Sequence, residues 1–128
     1  MRILVADDDR DTGDSLAAIL RHEGHEVTTA LRGDEVLALE RLMRPDALIV
    51  DINMPGVSGY AVAHDVRERR GADAPLLIAI SGIWVRTSDQ LLGRAVGFDK
   101  YLLKPCDPAL VVALLKAGRR PRVGTADR

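Results

Sequence analysis

Five short apolar runs, spaced by segments of helical length, constrain this chain more than any other feature. They are "RILVA" (2–6), "EVTTA" (26–30), "ALIV" (47–50), "LLIAI" (76–80) and "KYLL" (100–103). The first, third and fourth are almost continuously apolar, as strands must be when both faces of a parallel sheet are covered. The intervening segments carry helix boundaries. One runs from about Thr12 to Glu23, with Leu16, Ile19 and Leu20 on one face and Gly24 as its stop. A second spans about Asp34 to Arg44 before Pro45, and a third follows Ser58, a good N-cap, to Arg70-Gly71. A fourth is expected over about 87–96, before Gly97, and a last one opens with Asp107-Pro108 and fades at Gly118. Five β-then-α units predict an α/β fold, a doubly wound five-stranded parallel sheet with five helices.

The 128 residues suit one domain with a single core, here residues 1–118, followed by a tail or linker stub over 119–128, "RRPRVGTADR". A formal net charge of -1 gives no electrostatic case for nucleic acid or an anionic membrane. The single cysteine, Cys106, cannot form an intramolecular disulfide. The start lacks the apolar run of a signal peptide and no stretch could span a bilayer, so a cytoplasmic location is expected by elimination. Lysine is scarce, at Lys100, Lys104 and Lys116 only, so a lysine inside an apolar segment stands out.

In open parallel sheets, ligands bind outside the carboxyl ends of the strands. The residues that follow each run sample that edge. They are Asp7, Asp8 and Asp9 after the first, Asp51 after the third, Ser81 after the fourth and Lys104 after the fifth. Carboxylates gathered this closely repel unless a cation intervenes. Oxygen-only ligands favour a hard ion such as Mg²⁺, which keeps several waters and pairs readily with phosphate. An ionised aspartate can also act as a nucleophile toward phosphorus. Phosphoryl transfer then needs little beyond positioning and neutralisation of the equatorial oxygens, for which a metal, a lysine and a hydroxyl are present or implied. Each signal alone is modest, since acids also favour helix N-termini, and Asp9 with Asp11 and Asp14 reads as capping rather than metal binding. The four in register are strong.

The motifs "ILVADDD", "LIVDINMPGVSGY", "IAIS" and "GFDKYLLKPCDP" together resemble the receiver domain of two-component response regulators, over residues 1–118. That resemblance implies a flavodoxin-like sheet of strand order 2-1-3-4-5. It implies that Asp51 is the phosphoacceptor, that Asp8 binds Mg²⁺ directly and Asp7 largely through water, and that the Asn53 carbonyl is a further ligand. Ser81 and Lys104 would contact the phosphoryl group, Tyr101 would be the aromatic that changes rotamer on activation, and the Lys104–Pro105 bond would be cis. A sensor histidine kinase or phosphotransfer protein is the implied donor, and a protein the output partner. The molecule would be a signalling receiver that catalyses its own phosphoryl transfer and slow autodephosphorylation, not an enzyme acting on a separate substrate.

Two alternatives remain at this level. A degenerate, phosphorylation-independent binding module of the same fold is opposed by the complete set Asp7, Asp8, Asp51, Ser81 and Lys104. An aspartate-nucleophile phosphatase is opposed by "DDDRDT", which lacks the "DxDxT" spacing, and by the short chain. Tyr101 also reads as a half-buried strand aromatic, and Trp84 as packing under the fourth helix. The three histidines, His22, His25 and His64, do not form a ligand set. Cys106 and apolar residues in the last helix suggest a stand-alone or hybrid-kinase-like receiver, monomeric when unphosphorylated, without direct contact to nucleic acid or membrane.

Ser81 replaces the commoner threonine and, lacking β-branching, has a looser rotamer. The stretch from Ser81 to Gly97 is one residue longer than usual. Ile83 stands where receivers control phosphate lifetime, and a bulky apolar group there hinders attacking water. Slow autodephosphorylation is therefore predicted, with Ile83→Glu shortening the phosphate lifetime in a decay assay by intact mass; an unchanged lifetime would count against this role.

Overall fold

The computed structural model describes residues 1–82 and 97–118. Five strands pair in parallel in the order β2-β1-β3-β4-β5: β1 Arg2–Ala6, β2 Glu26–Ala30, β3 Ala47–Asp51, β4 Leu76–Ser81 and β5 Lys100–Leu103. The described helices are α1 (Arg10–His22), α2 (Gly33–Met43), α3 (Gly59–Arg70) and α4 (Pro108–Ala117), with a single 3-10 turn at Gly71–Asp73. The helix expected over 87–96, with Ile83 and Trp84 ahead of it, lies outside the described residues, as does the tail over 119–128.

The pleat explains why the central strands read as unbroken apolar runs. Leu4, Ala6, Leu48, Val50, Leu77 and Ala79 face one core cluster with Val36 of α2 and Val62, Ala63 and Val66 of α3. Ile3, Val5, Ala47, Ile49, Ile78 and Ile80 face the other, with Leu16, Ala17 and Leu20 of α1 and Val111 and Leu115 of α4. Alternate side chains thus enter opposite cores, and neither face tolerates a polar residue mid-strand.

Helix boundaries follow from side-chain chemistry. Asp9 caps α1, its carboxylate accepting from the Asp11 N–H at 3.1 Å and the Thr12 hydroxyl at 2.8 Å, so the helix starts two residues before the sequence pattern suggested. Ser58 and Asp107 cap α3 and α4, accepting from the Ala61 and Ala109 N–H groups. Arg44, not Pro45, ends α2, in a left-handed conformation with φ 47°. Gly33, at the start of α2, touches the β3–α3 loop so closely that a Cβ would lie 1.8 Å from the Val57 carbonyl oxygen.

Glu40 went unremarked in the periodicity of the second helix. Its side chain is 0% exposed on the inner face of α2. Arg69 of α3 donates to it at 2.6 Å and Arg70 donates to its other oxygen. Arg69 also reaches Asp65 at 2.8 Å, and the Glu40 contact is the leading reason the Arg69 guanidinium is held above its ordinary pKa. A buried carboxylate survives there because two guanidiniums from the neighbouring helix neutralise it. Removing it strands those cations. Glu40→Ala is expected to cost about 3–5 kcal/mol in urea unfolding, whereas a cost below about 1 kcal/mol would assign the cluster to the weak surface class.

Candidate functional site

The strand ends converge as the topology requires. β1 lies between β2 and β3, so Asp7, the residue after β1, adjoins Asp51, the last residue of β3. Asp51 pairs with Ile80 on the β3–β4 ladder, and Ser81 with Leu103 on the β4–β5 ladder. Strands β3 and β4 each run one residue past the apolar pattern, so Asp51 and Ser81 occupy the final rungs. Asp7, Asp51 and Ser81 are all buried. Asp8 is exposed.

Lys104, the residue after β5, bridges the two buried acids. Its Nζ lies 2.8 Å from Asp7 Oδ2 and 2.9 Å from Asp51 Oδ2. Its backbone N–H donates to the Ser81 carbonyl at 2.7 Å, which ties the lysine to the end of β4. The Lys104–Pro105 peptide bond is cis, as the resemblance implied. The remaining acid oxygens are held by main chain: Asp51 Oδ1 accepts from the Asn53 N–H at 2.9 Å, and Asp7 Oδ1 from the Asp9 N–H at 2.9 Å. Each buried carboxylate therefore has one main-chain donor and one shared ammonium, which answers the cost of ending an apolar strand on a charge.

Burial works against charge on Lys104, but hydrogen bonds to Asp7 and Asp51 and their negative charge outweigh it and hold the ammonium above its ordinary pKa. Asp8 is pushed the other way from a typical paired carboxylate. Partial desolvation raises its pKa, reinforced by contact with Asp51 and by the charges of Asp51 and Asp7. Asp9, held low first by the Thr12 hydroxyl, points into the α1 cap rather than the acid cluster.

The donor set fits a hard divalent cation. One carboxylate oxygen from each of Asp7, Asp8 and Asp51 lies within 4.8 Å of the others, and all are oxygen ligands. The raised pKa of Asp8 comes first from desolvation, and the neighbouring Asp51 and Asp7 charges that add to it are ones a bound cation would offset. Asn53 sits two residues beyond Asp51, and its N–H on Asp51 fixes the loop that carries its carbonyl. Tyr101 is half-buried on the α3 side of the sheet, in register with Ala79 and on the same face as Ser81. Beside the acids, a groove of about 610 Å³ opens between α1 and the β5–α4 connection, lined by Asp7, Thr12, Leu16, Lys104, Pro105 and Cys106. The Cys106 thiol is pushed up in pKa by burial, in keeping with an unreactive position.

Because the Lys104 pKa is raised on folding, its contribution to stability is complete below the ordinary lysine range and is lost as pH rises through the raised value. A Lys104→Met variant is expected to unfold at lower urea than the parent at pH 7, with the gap closing above about pH 10.4. A gap independent of pH in paired urea titrations would show that the methionine acts through packing instead.

Residues 3–116 match the model of the response regulator receiver domain. Among similar curated proteins, the transcriptional regulatory protein PrrA of Mycobacterium leprae is 40% identical over 125 residues, covering 98% of this chain and 52% of PrrA. The DNA-binding response regulator MtrA of Mycolicibacterium paratuberculosis is 34% identical over 119 residues, covering 93% of this chain and 51% of MtrA. The chain thus spans about half the length of these relatives, and both are named for regulation of transcription or DNA binding rather than as hybrid kinases. Among solved structures, a CheY-like receiver domain protein from Methanospirillum hungatei superposes with a TM-score of 0.83 at 28% identity, covering 91% of this chain and 90% of that one. The chemotaxis protein CheY4 of Vibrio cholerae gives 0.84 at 27% identity, covering 92% and 98%. In its parallel sheet, its sequence and its structural likenesses alike, the chain belongs to the response regulator receiver domain family.

Proposed function

We propose that the chain is a phosphoacceptor switch in which Asp51 receives a phosphoryl group from the phosphohistidine of a sensor kinase or phosphotransfer protein. The observation that carries this reading is the placement of the Lys104 ammonium, 2.9 Å from Asp51 and 2.8 Å from Asp7 at the carboxyl edge of the sheet. An Asp51 carboxylate oxygen attacks phosphorus, the new P–O bond forms as the P–N bond breaks, and the departing imidazole nitrogen takes a proton. Lys104 moves from bridging two carboxylates to pairing with a phosphoryl oxygen, while the Asn53 N–H stays on the other Asp51 oxygen. The Ser81 hydroxyl donates to another phosphoryl oxygen. Asp7, Asp8, Asp51 and the Asn53 carbonyl would hold Mg²⁺, which when bound supplies the second positive charge that phosphoryl transfer needs.

Once formed, the aspartyl phosphate draws Ser81 inward and opens space into which Tyr101 turns. This biases the surface around β5 and α4, together with the helix expected before β5, toward a protein partner. Such a switch acts in the cytoplasm, where its donors present their phosphohistidines, and is monomeric before phosphorylation. Any output through DNA would belong to a domain outside this chain, as the names of PrrA and MtrA suggest for those proteins.

The test is intact mass of the parent and Asp51→Asn after incubation with Mg²⁺ and acetyl phosphate. A phosphoryl adduct is expected on the parent alone, and chelation of Mg²⁺ is expected to cut its yield at least tenfold. An adduct on both proteins would move the acceptor away from Asp51. No adduct from either acetyl phosphate or a phosphohistidine protein would favour the degenerate binding module.

A further inference from the structure

The chain has four aromatic residues, Tyr60, Trp84, Phe98 and Tyr101, and three of them stand in one row. Phe98 is 4% exposed and meets Tyr60 edge-on at 6.3 Å between centroids and Tyr101 edge-on at 5.7 Å, with interplanar angles of 68° and 67°. The row joins two places that the phosphoacceptor chemistry would connect. Tyr60 lies in the first turn of α3, directly after Gly59. That glycine is pressed against the strand that ends in Asp51: a Cβ on it would lie 2.9 Å from the Asp51 carbonyl oxygen and 2.8 Å from the Ile52 Cα, and its N–H donates to the Ile52 carbonyl at 3.0 Å. A displacement of the loop after Asp51 is therefore a displacement of Tyr60.

The main chain at the middle of the row is anchored on both sides. The Asp99 N–H donates to the Leu77 carbonyl at 2.7 Å, and the Asp99 carboxylate accepts from the Leu77 N–H at 2.8 Å. Arg67 of α3 donates to the Gly97 carbonyl and lies 3.3 Å from Asp99. Phe98 sits between these two anchored residues, so its main chain is held while its ring meets Tyr60 on one side and Tyr101 on the other. Edge-to-face pairs depend on ring orientation, so the angle of the Phe98 ring is set in part by Tyr60 and in turn sets a preferred angle for Tyr101.

We infer that Tyr60 and Phe98 are positioning residues that restrain the Tyr101 ring, so that the loop after Asp51 biases the switch aromatic through a row of rings as well as through Ser81. This rests on the phosphoacceptor reading for its biological meaning, but the restraint itself exists without phosphate. It follows that loss of either ring loosens Tyr101 before any donor is added. The population ratio of its alternative orientation should rise roughly 2- to 10-fold, the range an edge-to-face pair supplies.

The chain has two tyrosines, so Tyr60→Phe leaves Tyr101 as the sole tyrosine while keeping the ring. Three proteins labelled with 3-fluorotyrosine are compared by fluorine NMR: Tyr60→Phe, Tyr60→Leu, and Tyr60→Phe combined with Phe98→Leu. A second Tyr101 signal, or growth of a minor one, is expected in the two ring-deficient proteins without donor. Tyr60→Leu is the sharper comparison, because Tyr60 touches Phe98 and its loss does not directly remove ring current from Tyr101. The leucine variants also keep the core filled. A single unchanged Tyr101 population in Tyr60→Leu, with the protein folded, overturns the inference. Mass of Tyr60→Phe after acetyl phosphate reads the phosphoacceptor separately: absence of an adduct there rejects that reading while the donor-free spectra still decide the row.

Discussion

The Lys104 ammonium is the interaction on which the site depends. Two aspartates end apolar strands in positions closed to bulk water, and each would be costly alone. A single cation shared between them offsets much of that cost and part of their mutual repulsion together. Because Lys104 follows β5, at one edge of the sheet, while Asp7 follows β1 and Asp51 ends β3, the neutralised site exists only when the whole strand order is in place. Lysine is the suited cation in a chain whose basic residues are mostly arginine. Its compact, flexible point charge can sit between two carboxylates and swing to a third anion, where a planar guanidinium would commit to one partner.

Glu40 shows the contrasting use of buried charge. It is as deeply enclosed as Asp51, yet Arg69 and Arg70 both serve it, and Asp65 in turn occupies Arg69. Cations here are in local excess and belong to one carboxylate, so nothing in the cluster is poised to change partners. At the strand edge the ratio is reversed: three acids share one lysine. Burial of a carboxylate alone does not mark chemistry. The balance of charge around it does.

Most of the fold and the convergence at the strand ends were legible because they depend on local pattern. Continuous apolar runs state a doubly covered strand, Ser58 and Asp107 state helix starts, and the residue after each strand states the site's contents. Misses came at element boundaries and where a side chain reaches across sequence. Asp9 moves the start of α1 to Arg10 through its own cap, and the strands absorb Asp51 and Ser81 because ladder partners Ile80 and Leu103 are available to them. Glu40 looked like any polar helical residue, because its partners lie about thirty residues away on α3. The aromatic row was invisible for the same reason, since Tyr60 and Phe98 meet only after β4 has been laid between their elements.

The two faces of the sheet divide the remaining work. Groove, α1 and α4 lie on one side with Leu16, Val111 and Cys106; Tyr60, Phe98 and Tyr101 lie on the other, packed against α3. A closely packed sheet separates them, and its side chains alternate strictly between the two cores. Among the described residues, the strand ends are common to both. A group arriving at Asp51 from the groove side can affect the aromatic side by moving strand termini and the loops attached to them. Among the described residues, Gly59, jammed against the Asp51 carbonyl, and Lys104, tied to the Ser81 carbonyl, are connections stiff enough to carry such a movement. One leads to Tyr60 and the other to the end of β5, and both lead to Tyr101.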